Sequence, residues 1–215
     1  MNIKINQRLI NNKTKTYFIA DIAANHDGNI DKAFELIYQA KKAGADAAKF
    51  QHFNAKTIVS DKTYNSMKSQ LSHQAKWKKT VFEVYKEASL DLNWTKKLYN
   101  ECKKVGIDFF TSPYSFDLVD HVDEYVPAYK IGSGDITWLE IIRHISKKKK
   151  PVILATGASS LIDVKRAVKE IKKYNSKICL MQCNTNYTAS KENLKYINLN
   201  VLKTYKKIFK NIILG

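Results

Sequence analysis

The 215 residues predict an α/β chain of the (β/α)8 TIM-barrel class, incomplete at its carboxyl end, with about seven of the eight strands present. Short runs that are apolar throughout alternate with amphipathic stretches of helical period, the pattern of a parallel sheet covered by helices. Seven such runs exceed the about five or six strands usual in an open doubly wound sheet. No GxGxxG follows the first run, which argues against a dinucleotide-binding sheet. One domain over 1–215 is the expectation.

Taken in order, "YFIADIAA" (17–24) is the first strand and "NIDKAFELIYQAKKAGA" (29–45) an amphipathic helix closed by Gly44. "DAAKFQ" (46–51) is the second strand. Residues 52–92 break the alternation with a long polar loop and an extra helix, "WKKTVFEVYKEAS" (77–89); such excursions often form walls or lids over a site. "NWTKKLYNECKKVG" (93–106) is a helix with Asn93 as N-cap, "IDFFTS" (107–112) the third strand and "YSFDLVDHVDEY" (114–125) a short helix. "AYKIG" (128–132) is the fourth strand, followed by the helix "TWLEIIRHISKKKK" (137–150). The fifth strand is "PVILAT" (151–156), and "SLIDVKRAVKEIKKYN" (160–175) is a helix capped by Ser159 or Ser160. "KICLMQC" (177–183) is the sixth strand; after a helical stretch near 191–208, "NIILG" (211–215) begins a seventh.

Composition narrows the class of function. With 44% hydrophobic and 27% charged residues the chain reads as globular. No apolar run is long enough to span a bilayer, and "MNIKINQRLINNKTKTYF" lacks the apolar core of a secretory signal, so a cytoplasmic location and no membrane partner are expected. Cys102, Cys179 and Cys183 are odd in number and form no CxxC, which speaks against a disulfide framework or a zinc cluster. The formal charge of +17 is nearly all lysine, with Arg8, Arg143 and Arg166 the only arginines. Nucleic-acid readers lean on arginine for bidentate guanine contacts and stacking, so the charge is read as solvated faces and no nucleic-acid partner is expected.

Barrel enzymes gather their catalytic groups at the carboxyl ends of the strands, and polar residues recur there along this chain. They are Asp21 with Asn25, His26 and Asp27; Lys49 and Gln51; Thr111 and Ser112; Lys130, Ser133 and Asp135; Thr156 and Gly157; and Gln182, Asn184, Thr185, Asn186 and Tyr187. Two lysines on non-adjacent strands, with the hydroxyls of Thr111 and Ser133 nearby, suit a carboxylate or phosphate. The glycines of "GSG" (132–134) let backbone N–H groups approach such an anion. Other readings stay open: a snorkelling Lys49, a satisfied Asp21, a His26 that only orders its loop, a class I aldolase with Lys130 or Lys49 as Schiff-base amine, or a non-catalytic polyanion-binding protein.

The motifs "IADIAANHDGNIDKAFELIYQAKKAGADAAKFQ", "FFTSPYS", "PAYKIGSGD", "PVILATGAS" and "QCNTNYTAS" resemble, in order and separation, those of the sialic acid synthases, a family that includes the legionaminic and pseudaminic acid synthases. The resemblance implies a (β/α)8 barrel that condenses phosphoenolpyruvate with an N-acetylated hexose such as N-acetylmannosamine. The product is a nine-carbon 2-keto acid, and phosphate is released. It implies that Lys49, Thr111, Lys130 and Ser133 bind phosphoenolpyruvate and that Gln51 lies between the two substrates. Thr185, Asn186 and Tyr187 would line the phosphate and sugar side, and Asp21 and Asp135 would be the catalytic carboxylates near the reacting centre. Aspartate stands at both positions where some members carry glutamate, and Ala155 stands where the family has a serine.

The resemblance also implies a divalent metal, Mn2+ or Mg2+, that polarises the sugar aldehyde. Its histidine ligands follow the seventh strand, beyond Gly215, so no residue of this chain is assigned to the metal. The family's eighth strand and C-terminal antifreeze-like domain would likewise lie beyond Gly215, and the full-length protein is expected to be a homodimer. The 215-residue polypeptide alone is expected to be inactive.

Overall fold

The computed structural model describes residues 2–11, 13–66, 77–185 and 190–215. The chain divides into two compact units, Phe18–Tyr125 and the pair of segments Met1–Tyr17 and Val126–Gly215.

The second unit in this naming opens with an antiparallel hairpin, β1 (Ile3–Ile5) and β2 (Arg8–Ile10). Two three-residue strands are too short to show a period in the sequence. The unit Phe18–Tyr125 holds the parallel sheet β3 (Ile19–Ala23), β4 (Ala47–His52) and β5 (Asp108–Pro113), in that order. The first helix, α1 (Ile30–Lys42), is capped by the Asn29 side chain, which accepts from the amides of Asp31 and Lys32. It ends where Gly44 adopts φ +87°, a conformation an L side chain resists.

Between β4 and β5 lie α2 (Ala55–Ile58), α3 (Asp61–Ser66), α4 (Val81–Ala88) and α5 (Thr95–Val105). The expected excursion is thus present, and the expected helix over 77–89 begins four residues late, at the capping box of Thr80 with Glu83. Asn93 is not the cap of α5. It sits inside a 3-10 turn, Leu92–Trp94, whose own cap is Asp91, and α5 starts without a side-chain cap. The short helix α6 (Phe116–Val122) is capped by Ser115, and α1, α5 and α6 pack on the sheet.

The other parallel sheet runs β6 (Tyr129–Ile131), β7 (Val152–Ala155), β8 (Ile178–Met181) and β9 (Ile213–Leu214). Its connections carry α7 (Leu139–Lys147), α8 (Leu161–Lys172) and, after a 3-10 turn over Lys191–Tyr196, α9 (Val201–Ile208). Tyr129, Leu154, Ile178 and Leu180 are fully buried, the reason these strands read as unbroken apolar runs. α7 and α8 pack together, and the buried Glu170 carboxylate accepts from Arg143 Nε at 2.6 Å and from Lys173 Nζ at 2.5 Å. All seven strands expected from the sequence are present as parallel strands. Among the described residues, no helix is long and apolar enough to cross a membrane.

The cap of α8 is Ser160, whose hydroxyl accepts from the Asp163 amide while the Asp163 carboxylate accepts from the Ser160 amide. Ser160→Ala removes that reciprocal pair and is expected to lower stability by about 1 kcal/mol in urea unfolding.

Candidate active site

Register decides which strand-end residues share a face. In the β3–β4–β5 sheet Asp21 pairs with Lys49, Phe50 with Thr111, and Gln51 with Ser112. Side chains alternate along a strand, so Asp21, Lys49, Gln51 and Ser112 point to one face and Phe50, His52 and Thr111 to the other. Lys49 is almost wholly enclosed, its side chain 8% exposed, and its ammonium lies 2.7 Å from Asp21 Oδ1. The Asp21 side chain is 61% exposed. Beyond Asp21 the ladder bulges before Ala23, which adopts φ +52°, and the strand end is turned out of line. Gln51 Nε2 donates to the Tyr114 hydroxyl at 3.4 Å.

Thr111 does not join this group. Its hydroxyl is fully buried on the helix side, hydrogen-bonded to His52 Nδ1 at 2.7 Å. His52 Nε2 in turn meets Thr95 Oγ1 at 2.9 Å, and Thr95 Oγ1 meets His121 Nε2 at 2.9 Å. This buried relay ties the ends of β4 and β5 to α5 and α6. Sequence reasoning missed it and placed Thr111 among the anion-binding groups. The hydroxyl that does share a face with Lys49 and Gln51 is Ser112. Desolvation holds His52 far below the usual imidazole range, at about 3, with His121 and His26 adding a smaller push in the same direction.

His26, placed by its sequence just past the first strand, is buried and accepts the Gly28 N–H at Nδ1, 3.1 Å away. Its Nε2 has no hydrogen-bond partner among the described residues, and its ring stands edge-on to Trp94 at 5.8 Å. Burial lowers its pKa.

In the β6–β9 sheet Lys130 pairs with Ile153, and Ile153 with Cys179, so Lys130 points away from the fully buried face of Tyr129 and Leu154. Its ammonium donates to the carbonyl of Ile131 at 3.1 Å. The "GSGD" stretch becomes a 3-10 turn, Ser133–Asp135, just past the strand. Ser133 Oγ accepts the Gly157 N–H at 3.0 Å, which leaves its own hydroxyl proton to donate elsewhere. Burial pushes the Asp135 carboxyl up to about 6, although Lys130 pulls it the other way. Thr156 donates to the Met181 carbonyl at 3.0 Å and accepts from the Tyr205 hydroxyl at 3.1 Å, a contact from α9 that no local motif announces.

Gly157 approaches its neighbours closely. A Cβ there would lie 2.5 Å from Thr185 Cγ2, 2.8 Å from the Cys183 carbonyl oxygen and 3.0 Å from Ser133 Oγ. Thr185 is therefore seated against the loops that follow β6 and β7. Asn186 and Tyr187 lie outside the described residues. Burial pushes the thiol of Cys179 up to about 12, and that of Cys102 to about 12 as well, so neither serves as a nucleophile near neutral pH. Among the described residues no three of His, Cys, Asp and Glu are grouped to hold a metal ion.

Comparison with known proteins gives the family. A family model described as the NeuB family matches residues 36–215. The chain belongs to the NeuB family.

Among its relatives, the N-acetylneuraminate-9-phosphate synthase of Mus musculus is 31% identical over 215 residues, covering 97% of this chain and 56% of that protein. The N,N'-diacetyllegionaminic acid synthase of Campylobacter jejuni is 34% identical over 200 residues, 91% of this chain and 58% of that one. The chain thus spans a little over half the length of these relatives. A crystal structure of the N-acetylneuraminic acid synthetase from Leptospira borgpetersenii, in complex with citrate, superposes with a TM-score of 0.86 at 24% identity, over 100% of this chain and 69% of that one. At that identity the likeness is one of fold. Of the strand-end groups described above, Lys49, Gln51, Ser112, Lys130, Ser133 and Asp135 fall inside the matched NeuB segment, whereas Asp21 and His26 precede it.

Two expectations follow from the geometry. Because His52 binds a proton near pH 3 when folded and near 6.5 when unfolded, the unfolded state holds more protons between those values. Stability should be unaffected by this group above pH 6.5 and fall by roughly 1 kcal/mol per pH unit below it; His52→Gln should flatten that slope in unfolding curves taken across the range. Gly157→Ala meets a backbone carbonyl that cannot rotate away, and its thermal midpoint is expected to drop by several degrees in scanning calorimetry.

Proposed function

We propose that this chain is the phosphoenolpyruvate-condensing part of a sialic-acid-type synthase, a single (β/α) barrel domain that joins phosphoenolpyruvate to an N-acylated hexose. The observation that carries the reading is the match of residues 36–215 to the NeuB family, with a lysine set inside a parallel strand of each sheet, Lys49 in β4 and Lys130 in β6. Family membership and the named relatives support the same chemistry.

In this reading Lys49 and Lys130 hold the anionic ends of phosphoenolpyruvate, and Ser133 donates its free hydroxyl proton to the same ligand. Ser112, sharing a face with Lys49 and Gln51, supplies the short donor that Thr111 cannot. The C3 carbon of phosphoenolpyruvate forms a bond to the open-chain sugar aldehyde, whose oxygen becomes a hydroxyl on gaining a proton. Water adds at C2, and the C2–oxygen bond to phosphate breaks, giving the 2-keto acid. Asp135, poised near pH 6, takes the proton from that water, and Asp21 stands beside the reacting centre. Thr185, Asn186 and Tyr187 are proposed to line the phosphate and sugar side. The family's divalent metal would polarise the sugar aldehyde; among the described residues no three of His, Cys, Asp and Glu are grouped to hold it. The full-length protein is proposed to work in the cytoplasm as a homodimer.

The Schiff-base alternative needs a lysine amine free to attack a carbonyl, whereas Lys49 Nζ is paired with Asp21 Oδ1 at 2.7 Å and Lys130 Nζ donates to the Ile131 carbonyl at 3.1 Å. The test is release of phosphate from phosphoenolpyruvate by the full-length protein, dependent on an N-acylated hexose, with the nine-carbon keto acid identified by mass. Lys130→Met is expected to lower kcat/KM for phosphoenolpyruvate by about a hundredfold. The pH profile of kcat/KM should rise through about pH 6 as Asp135 ionises. A borohydride-trapped adduct with a keto substrate, and no phosphate release, would replace this reading with the aldolase.

A further inference from the structure

We propose that Asp21 is an internal competitor for the anion site: a carboxylate that occupies Lys49 when no substrate is bound, yields to it on binding, and returns to help expel phosphate. The inference rests on the reading of Lys49 as a phosphoenolpyruvate ligand, and adds to it a role for Asp21 in binding and release.

The geometry is set by the backbone. Asp21 and Lys49 are direct cross-strand partners on neighbouring parallel strands, and their charged atoms meet at 2.7 Å without either side chain crossing a turn. What distinguishes the pair is its asymmetry. The Lys49 side chain is 8% exposed and that of Asp21 61% exposed. An enclosed ammonium cannot be left without a counter-charge, because its desolvation is no longer offset by water. The carboxylate has water at hand and regains hydration when it swings off.

An anion arriving at Lys49 therefore replaces one counter-ion with another. The lysine keeps a partner throughout, and the carboxylate returns to solvent at little cost. The gross attraction of ligand for lysine is reduced by the contact it displaces, and by the repulsion of a second negative charge a few ångströms away. Tight binding of the product anion would stall a synthase that must release phosphate each cycle. A tethered carboxylate beside the lysine is always present at high effective concentration and reclaims the ammonium as phosphate departs.

Asp21→Asn keeps the side-chain shape and removes the charge. In the full-length protein, calorimetric titration with inorganic phosphate and with phosphoenolpyruvate is expected to show both binding about tenfold more tightly to Asp21→Asn than to the native protein. The ligand-free variant should melt at a lower temperature, and saturating phosphate should restore most of the difference. Lys49→Met should abolish the gain when combined with Asp21→Asn. Unchanged or weaker anion binding in Asp21→Asn, with the native protein still binding phosphoenolpyruvate, would overturn the competitor role and leave the synthase reading standing. No phosphoenolpyruvate binding by native protein or variant would overturn both.

Discussion

The pairing register of β4 with its two neighbours is the constraint on which the strand-end groups of this sheet depend. It sets Lys49 against Asp21 and Gln51 against Ser112, and the two-residue alternation of the strand sends His52 and Thr111 to the opposite side. A slip of one residue would bury the ammonium under the helices and turn His52 to the face that Lys49 now occupies. The register is held from the helix side, where Phe50 and Phe109 stack at 6.0 Å and the His52 relay reaches Thr95 and His121. The apolar face and its one polar network thus hold in place the side chains that face the other way.

Much of this was legible in the sequence. The seven parallel strands stood out because strands covered on both faces are apolar throughout, and the helices between them showed a clean amphipathic period. Lys49 and Lys130 were visible as charges inside such runs. What could not be read was the pairing between strands. "KFQH" and "FFTSP" each offer polar residues on both faces, and nothing local says that Ser112, and not Thr111, stands level with Gln51. Nor does any motif bring Tyr205 to Thr156, since that contact spans 49 residues of chain. The N-cap assigned to Asn93 failed for a smaller reason: a 3-10 turn capped by Asp91 comes first and consumes the capping residue.

The polar groups at the strand ends also divide by environment. His52 and Thr111 are sealed among aromatic rings, and a charge on that imidazole is strongly disfavoured. Asp135 is half-buried near a lysine, and burial raises its carboxyl to about 6, within reach of ordinary pH changes. The first set does its work by never changing state. The second is suited to chemistry because its state changes so readily.

The seam between the loops after β6 and β7 limits how this protein can vary. Gly157 gives its amide to Ser133 and leaves no space for a methyl group against Thr185 and the Cys183 carbonyl. Sites usually diversify by exchanging side chains or by letting a loop drift. Here the first is blocked by contact with main chain, and the second would break the bond that frees the Ser133 proton. A larger side chain at position 157 has to be matched by shifts at Thr185 and in the main chain at Cys183, so this corner of the fold can alter only in concert.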